Sequence, residues 1–135
     1  MLIPVLQFGG CCAEAIELYT RAFGATDINI EYYEDAPDNS GITRTEENRR
    51  LVMHAGMSIG GGYMFLNDSE DGSEASEIAT LTVTFPTKEK VAEAYKLLAE
   101  EGGKPVVGLG EQFFCPMYGS VTDRFGVHWQ LMLQW

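Results

Sequence analysis

The chain has few basic residues and no long apolar run. It carries 9 Lys and Arg against 20 Asp and Glu, so its formal net charge is −11 over 135 residues. Because nucleic acids and anionic lipid surfaces attract basic faces, neither is expected as a partner. No segment approaches the roughly 20 apolar residues that span a bilayer, so no membrane association is predicted.

Cysteine is also scarce, with only Cys11, Cys12 and Cys115 present. An odd number of cysteines, in a chain whose N-terminus does not look like a signal peptide, is typical of free thiols in a reducing compartment. A cytoplasmic location is therefore the default expectation. Cys11 and Cys12 begin a predicted helix, where the dipole lowers a thiol pKa, but packing is the favoured role because no His is near them in sequence.

The same order of elements occurs twice, about 76 positions apart. In each copy an apolar strand precedes an amphipathic helix that ends at glycine, and three strand-like runs follow. Apolar residues recur every three or four positions over Cys12–Phe23, and again over Lys88–Glu101, which Thr87 would cap. The predicted modules are residues 1–67 and 78–135, within one structural domain.

Two polar segments interrupt this pattern. Residues 34–49 are rich in turn formers and predict a long, mobile loop of the kind that often acts as a functional lid. Residues 68–77 are acidic and almost without apolar side chains, which predicts a solvated linker between the modules. The whole order predicts an α+β fold in which a helix covers one face of each sheet, and the other face needs a second cover.

The duplicated order and several local motifs resemble the vicinal oxygen chelate (glyoxalase/bleomycin resistance/dioxygenase) superfamily, and within it the PhnB-like branch. The motifs are Pro4–Gly10, Ala13–Tyr19, Phe23–Ala25, Val52–Ala55 and Val121–Trp129. The resemblance implies two βαβββ modules whose curved mixed sheets surround a cup, often in a homodimer. It fixes no reaction. The ubiquinone-pathway methyltransferase label found in this branch is not adopted, because the chain has no glycine-rich S-adenosylmethionine loop.

Metal-using members of the superfamily place one ligand on the first strand and one on the last strand of each module. The resemblance puts these positions at Pro4, Phe65 (or Asn67), Thr80 and Gln130. A divalent ion needs three or four donors of His, Cys or carboxylate type, so the usual site is expected to be lost and no cofactor is assigned. A divalent metal held differently, through His54 and His128, stays an open alternative.

The residues expected to line the cup are Phe8, His54, Phe65, Thr80, Thr82, Tyr118, His128 and Gln130. Aromatic groups with a few polar ones are the usual composition of a small-molecule site. If the protein is an enzyme, His54 or His128 would be the general base and Gln130 would orient the ligand. The plainer interpretation is that each His is only a hydrogen-bonded pocket or surface residue.

The predicted function is therefore the binding or transformation of a small polar or aromatic molecule. The first alternative is a metal-dependent lyase or dioxygenase with altered ligands. The second is sequestration of a ligand such as a drug, without chemistry. The predicted lining contains no carboxylate pair, Ser-His-Asp set or phosphate loop that would decide between these functions, so enzyme activity stays open.

Overall fold

The computed structural model describes residues 3–70 and 79–134, which form two units of similar construction. The first unit contains residues 1–20 and 25–75, and the second contains residues 21–24 and 76–135. Each unit has a four-stranded mixed sheet. Residues 21–24, which include the last residues of the first helix, group with the second unit.

The first unit follows the predicted order of elements. They are β1 (Val5–Phe8), α1 (Cys12–Phe23), β2 (Thr26–Tyr32), β3 (Val52–Ile59) and β4 (Gly62–Asp68). The sheet order is β1-β4-β3-β2, with β1 parallel to β4 and the other pairs antiparallel. Gly60 and Gly61 both have positive φ, 57° and 81°, as a two-residue hairpin loop between β3 and β4 requires.

The second unit repeats that arrangement. Its elements are β5 (Thr80–Phe85), α2 (Lys88–Glu100), β6 (Lys104–Gln112), β7 (Cys115–Thr122) and β8 (His128–Leu133), in the sheet order β5-β8-β7-β6. Thr87 caps α2 as predicted, because its side chain accepts a hydrogen bond of 3.2 Å from the Lys90 amide. Phe113 and Phe114 form the hairpin turn between β6 and β7.

The helices bury the apolar stripes that predicted them. Cys12, Ile16 and Tyr19 of α1 are buried, as are Val91 and Leu98 of α2. Burying a large apolar side chain contributes about 1.5–3 kcal/mol to stability. This burial stabilises each helix more than its intrinsic helix propensity does. Within residues 3–70 and 79–134, neither helix has the length and apolar character needed to cross a membrane.

The prediction of a solvated linker over residues 68–77 is wrong at its first residue. Asp68 is the last residue of β4 and is only 1% exposed, so it is part of the core rather than of a solvated linker. Ser69 is buried as well. Residues 71–77 of the predicted linker lie outside the described residues.

The predicted loop at 34–49 contains local structure. A short 3₁₀ helix covers Tyr33–Asp35, and Asn48 is buried at 3% exposure. The side-chain Oδ1 of Asn48 accepts from the Thr45 amide, and its Nδ2 donates to the Thr43 carbonyl, both at 2.9 Å. The Asn48 side chain therefore holds this part of the loop in a defined conformation.

Candidate functional site

The face of the second sheet opposite the buried side chains of β8 carries most of the predicted site residues. Thr80 lies opposite His128 and Thr82 lies opposite Gln130 across the β5–β8 pair. The alternate residues of β8, Trp129 and Leu131, are buried. Because side chains alternate across a strand, Thr80, Thr82, His128 and Gln130 share one face, as predicted.

Two side-chain hydrogen bonds organise this face. The hydroxyl of Thr122, opposite His128 on β7, lies 2.8 Å from His128 Nδ1. The Thr82 hydroxyl donates to Gln130 Oε1 at 3.2 Å. The first contact holds the imidazole ring, and the second turns the Gln130 carbonyl oxygen towards β5. A ring held through Nδ1 presents Nε2 as its second polar atom.

Tyr118 lies further along the same face, where the surface becomes apolar. It pairs with Met132 and belongs to a small buried cluster with Cys115. The Phe114 ring stands edge-on to the Tyr118 ring at 5.0 Å between centroids. The face therefore changes from hydrogen-bonding groups at one end of β8 to aromatic and thioether groups at the other.

The first sheet brings together the predicted pair His54 and Phe65. Their rings meet edge-on with centroids 4.8 Å apart, and the Tyr63 ring stands against Phe65 at 5.7 Å. Gly56 makes this possible, because a Cβ at that position would lie 2.3 Å from the Tyr63 hydroxyl oxygen. His54 is thus in an aromatic setting, whereas His128 is in a polar one. The two belong to different units.

Phe8 is the predicted lining residue that the structure places elsewhere. It is 4% exposed and lies opposite Asp68, whereas Val5 and Gln7 on the same strand are exposed. Alternation therefore puts Phe8 on the buried face of the first sheet, and its assignment to the ligand-lining face is corrected.

The first-strand metal position also shifts by one residue. Phe8 and Phe85 are equivalent, because each carbonyl accepts from the residue that follows the neighbouring parallel strand, Ser69 and Gln134 respectively. Three residues connect β1 to α1 but only two connect β5 to α2. Pro4 and Thr80 both lie eight residues before the start of their helix. Because the first unit has one more connecting residue, Pro4 is one position too far along, and Ile3, not Pro4, is the counterpart of Thr80.

The donors at the superfamily's ligand positions do not fit a divalent metal. Ile3 and Phe65 have no donor atom, and Thr80 and Gln130 offer only a hydroxyl and an amide. Among the residues that the structure describes, no three His, Cys, Asp or Glu side chains form a group that could hold an ion. The absence of bound metal in the protein stays a prediction.

Two buried carboxylates that the sequence did not single out support these sheets. Asp68 Oδ1 accepts from the amides of Gly10 and Cys12 at 2.9 and 3.0 Å, and its Oδ2 accepts from the Val52 amide at 2.9 Å. Asp68 thus joins the ends of β1 and β4 to the start of α1 and β3. A buried acid inside an acidic run gives no pattern by which sequence could have found it.

Asp123 has the corresponding role in the second unit. Its Oδ1 accepts from the amides of Phe125 and Val127 at 2.9 and 3.0 Å, and its Oδ2 accepts from Trp129 Nε1 at 2.8 Å. These bonds fix the turn that leads into β8 and the buried indole beside His128 and Gln130. The motif Val121–Trp129 had carried the family resemblance, and here it acts by orienting the strand.

Cys12 is excluded as a reactive thiol. Its side chain is fully buried, and burial, reinforced by the nearby charge of Asp68, raises the thiol pKa far above its ordinary value of 9.0. Because the thiolate is the nucleophile, Cys12 is a packing residue of α1. The preferred interpretation from the sequence is therefore supported for this residue.

Comparison with known proteins gives matches over nearly the full chain. The family model for the Glyoxalase/Bleomycin resistance protein/Dioxygenase superfamily matches residues 2–131. Protein YjdN of Escherichia coli (strain K12) is 30% identical over 140 residues, which cover 96% of this chain and 92% of that protein.

Solved structures show the same fold. PA1353 from Pseudomonas aeruginosa superposes with a TM-score of 0.85 at 26% identity, covering 99% of this chain and 97% of that one. The PhnB protein from Bacillus cereus superposes with a TM-score of 0.73 at 27% identity, covering 98% of each chain. The predicted α+β fold of two βαβββ modules and the predicted PhnB-like resemblance are both confirmed.

Proposed function

Because the chain belongs to the glyoxalase/bleomycin resistance/dioxygenase superfamily, we propose that it binds a small polar or aromatic molecule through the exposed sheet face that carries His128 and Gln130. The observation that carries the proposal is the paired arrangement of Thr122 with His128 and of Thr82 with Gln130. Ordered donors and acceptors beside an aromatic cluster are the usual means of orienting a small ligand.

His128 is the residue best placed for proton transfer, should the ligand be transformed. If its Nδ1–H donates to the Thr122 hydroxyl oxygen, Nε2 keeps its lone pair and can accept a proton from the ligand. Gln130 lies two residues along the same strand face and would hold a hydroxyl or carbonyl group beside it. His54 is the second candidate, but its ring is packed edge-on against Phe65 rather than held by a hydroxyl.

Two histidines in the whole chain make the site easy to observe. The imidazole signals of His54 and His128 can be assigned in NMR spectra with the variants His54→Gln and His128→Gln. Phenol, benzamide and benzoate form a probe series that keeps the ring and changes the polar group. We expect phenol and benzamide to shift the His128 signal saturably. Their affinity should fall about ten-fold in Gln130→Leu, the loss typical of one or two hydrogen bonds.

Gln134→Leu is the matched control, because Gln134 is exposed and follows β8. Equal affinities in Gln130→Leu and Gln134→Leu, or saturable shifts confined to His54, would reject the proposed face. Probe spectra recorded after long incubation separate binding from chemistry. An unchanged probe supports sequestration, and a product that is absent with His128→Gln supports proton transfer by His128.

We also propose that the usual metal site of the superfamily is not in use, since its positions carry poor donors. Elemental analysis of protein purified without a chelator or a metal-affinity tag tests this part. We expect far less than one metal ion per chain. Near-stoichiometric metal that disappears in His54→Ala or His128→Ala would instead establish the metal-dependent alternative.

A homodimer is the assembly we propose, because members of the superfamily are commonly dimeric binders of small ligands. Phe113 is fully exposed and Phe114 is half exposed at the hairpin between β6 and β7. Association that covers them would remove apolar surface from water. Light scattering coupled to size-exclusion chromatography would measure the mass directly, and a monomer at all concentrations would reject this part of the proposal.

A further inference from the structure

The first unit contains a polar groove that includes Asn67, the alternative metal position, but none of the residues of the proposed sheet face. Its volume is about 480 Å³, within the range of roughly 300–1,000 Å³ that is common for small-ligand sites. The lining residues are Gln7, Tyr33, Thr43, Thr45, Asn48, Asn67, Ser69 and Glu70. All of them belong to the first unit, whereas His128 and Gln130 belong to the second.

The floor of the groove holds an acceptor with an unmet hydrogen bond. Gln7 and Asn67 lie opposite each other on β1 and β4. The Asn67 Nδ2 donates to the Asp68 carbonyl at 3.3 Å, and a carbonyl can only accept, so this contact fixes which way the amide points. Asn67 Oδ1 is buried and has no hydrogen-bond partner within the part of the chain that the structure describes. A buried acceptor left this way costs free energy that a ligand donor would recover.

The walls of the groove are already ordered. Asn48 holds Thr43 and Thr45 through the bonds described above, and its own amide donates to the Thr45 hydroxyl oxygen at 3.1 Å. Glu70 Oε1 accepts from the Thr43 amide at 2.9 Å, which ties the end of the first unit's sheet to this loop. A pre-formed wall reduces the ordering cost of binding.

The chemistry of the lining selects a cation. Glu70 is its single ionisable carboxylate, no Lys or Arg is among the lining residues, and the remaining groups are amides and hydroxyls. An ammonium group near Glu70 gains Coulomb energy, and N–H or O–H donors match the acceptors on the floor. We propose that this groove binds a small amine that carries several N–H and O–H donors.

Three sugars with the same ring test the charge preference directly. Glucosamine carries an ammonium group, glucose is neutral, and glucuronate carries a carboxylate. Amide chemical shifts of the groove residues report binding. We expect saturable shifts with glucosamine in the millimolar range, several-fold weaker binding of glucose, and the weakest binding of glucuronate. Glucuronate binding as tightly as glucosamine, or no saturable shift with glucosamine in the tens-of-millimolar range, overturns the proposal.

Substitutions locate the binding groups. Glu70→Gln keeps the acceptor for the Thr43 amide and removes the charge, so glucosamine should bind about three-fold more weakly while glucose is unaffected. Asn67→Leu removes the buried acceptor and should weaken both sugars about ten-fold. Glu31→Gln and Asn29→Leu are the matched controls, because both residues are exposed on β2 outside the groove.

Gln7→Leu guards against loss of folding in Asn67→Leu, since Gln7 is exposed and its replacement leaves the core intact. It should also weaken both sugars. Unchanged glucosamine affinity in Glu70→Gln and Gln7→Leu overturns the proposal, as does a loss of equal size in the two control variants. Glucosamine affinity is read from the groove amides and the aromatic probes are read from the His128 signal, so failure here is distinguishable from failure of the proposed sheet-face site.

Discussion

Single buried acids hold the ends of elements together in both units. Asp68 and Asp123 each accept three hydrogen bonds from N–H groups, which compensate the loss of hydration that burial imposes. A carboxylate accepts through both of its oxygens, whereas an amide of the same shape accepts through only one. The charge at these positions is therefore a structural requirement that should be visible in unfolding measurements.

Asp68→Asn tests this requirement at the residue scale. The substitution places an NH₂ group or a weaker acceptor against amides that now lie about 3 Å from a carboxylate. We expect the free energy of unfolding to fall by about 3 kcal/mol, measured by urea denaturation. Asp38→Asn is the control, because the Asp38 side chain is 91% exposed and should change stability by less than about 0.5 kcal/mol. Equal effects of the two substitutions would contradict the role given to Asp68.

Cys12 supplies a pH-dependent term of known sign. Burial and Asp68 raise the pKa of the folded-state thiol, whereas the unfolded chain ionises near the ordinary value of 9.0. Below that pH both states keep the proton and the contribution is fully present. Above it only the unfolded state loses the proton, so stability falls as pH rises.

The stability advantage of the native chain over Cys12→Ala should therefore shrink between about pH 8 and about pH 10.5, because alanine has no proton to lose. Urea denaturation at several pH values measures the difference, and the comparison with Cys12→Ala removes the effect of other groups that titrate in this range. A difference that is constant with pH would show that the thiol ionises equally in both states.

At the scale of elements, the second sheet depends on close contact with α2. In the second unit this contact occurs at Gly119 of β7, where an added Cβ would lie 2.6 Å from the ring of Tyr95 on α2. Real Cβ atoms do not approach so closely, so a larger residue must push the helix or the ring away. Glycine is thus needed here for space, not for backbone freedom.

Gly119→Ala should lower the free energy of unfolding by about 1–3 kcal/mol, the usual cost of overpacking. Gly108→Ala on the neighbouring strand β6 is the matched control, because a Cβ there meets nothing within 4 Å. Thermal and urea unfolding of both variants measure the contrast. A neutral Gly119→Ala would mean that α2 can move on the sheet without loss, against the packing described.

Sequence reasoning succeeded where periodicity decides the outcome. The bounds predicted for α1, Cys12–Phe23, are those observed, and the predicted end of α2 differs by one residue. The predictions were wrong where tertiary contacts determine whether a residue is buried and which way a strand faces. Asp68 belongs to a run of acidic residues but is buried, where it accepts hydrogen bonds from three backbone amides. The extra residue between β1 and α1 changes which side of β1 faces the helix.

Some residues of the candidate site could be predicted from alternation, and others are brought there only by tertiary contacts. Alternation along β5 and β8 was enough to group Thr82, His128 and Gln130. The hydroxyl that holds His128 comes from Thr122, which approaches only through the β7–β8 pairing. The groove near Asn67 could not be predicted, because its walls come from a loop whose form depends on the burial of Asn48.

At the scale of the whole molecule, the net charge of −11 opposes the proposed homodimer. Two copies with the same charge repel, and dissolved salt screens that repulsion. We expect the dissociation constant of the dimer to fall as NaCl rises from about 0.01 M to about 0.1 M, where the Debye length shortens from about 30 Å to about 10 Å. Sedimentation equilibrium at both salt concentrations measures this change, with sucrose at matched osmolality as the control for solute effects. A dimer that weakens with added NaCl would indicate attraction between opposite charges across the interface, and the net charge would then not govern assembly.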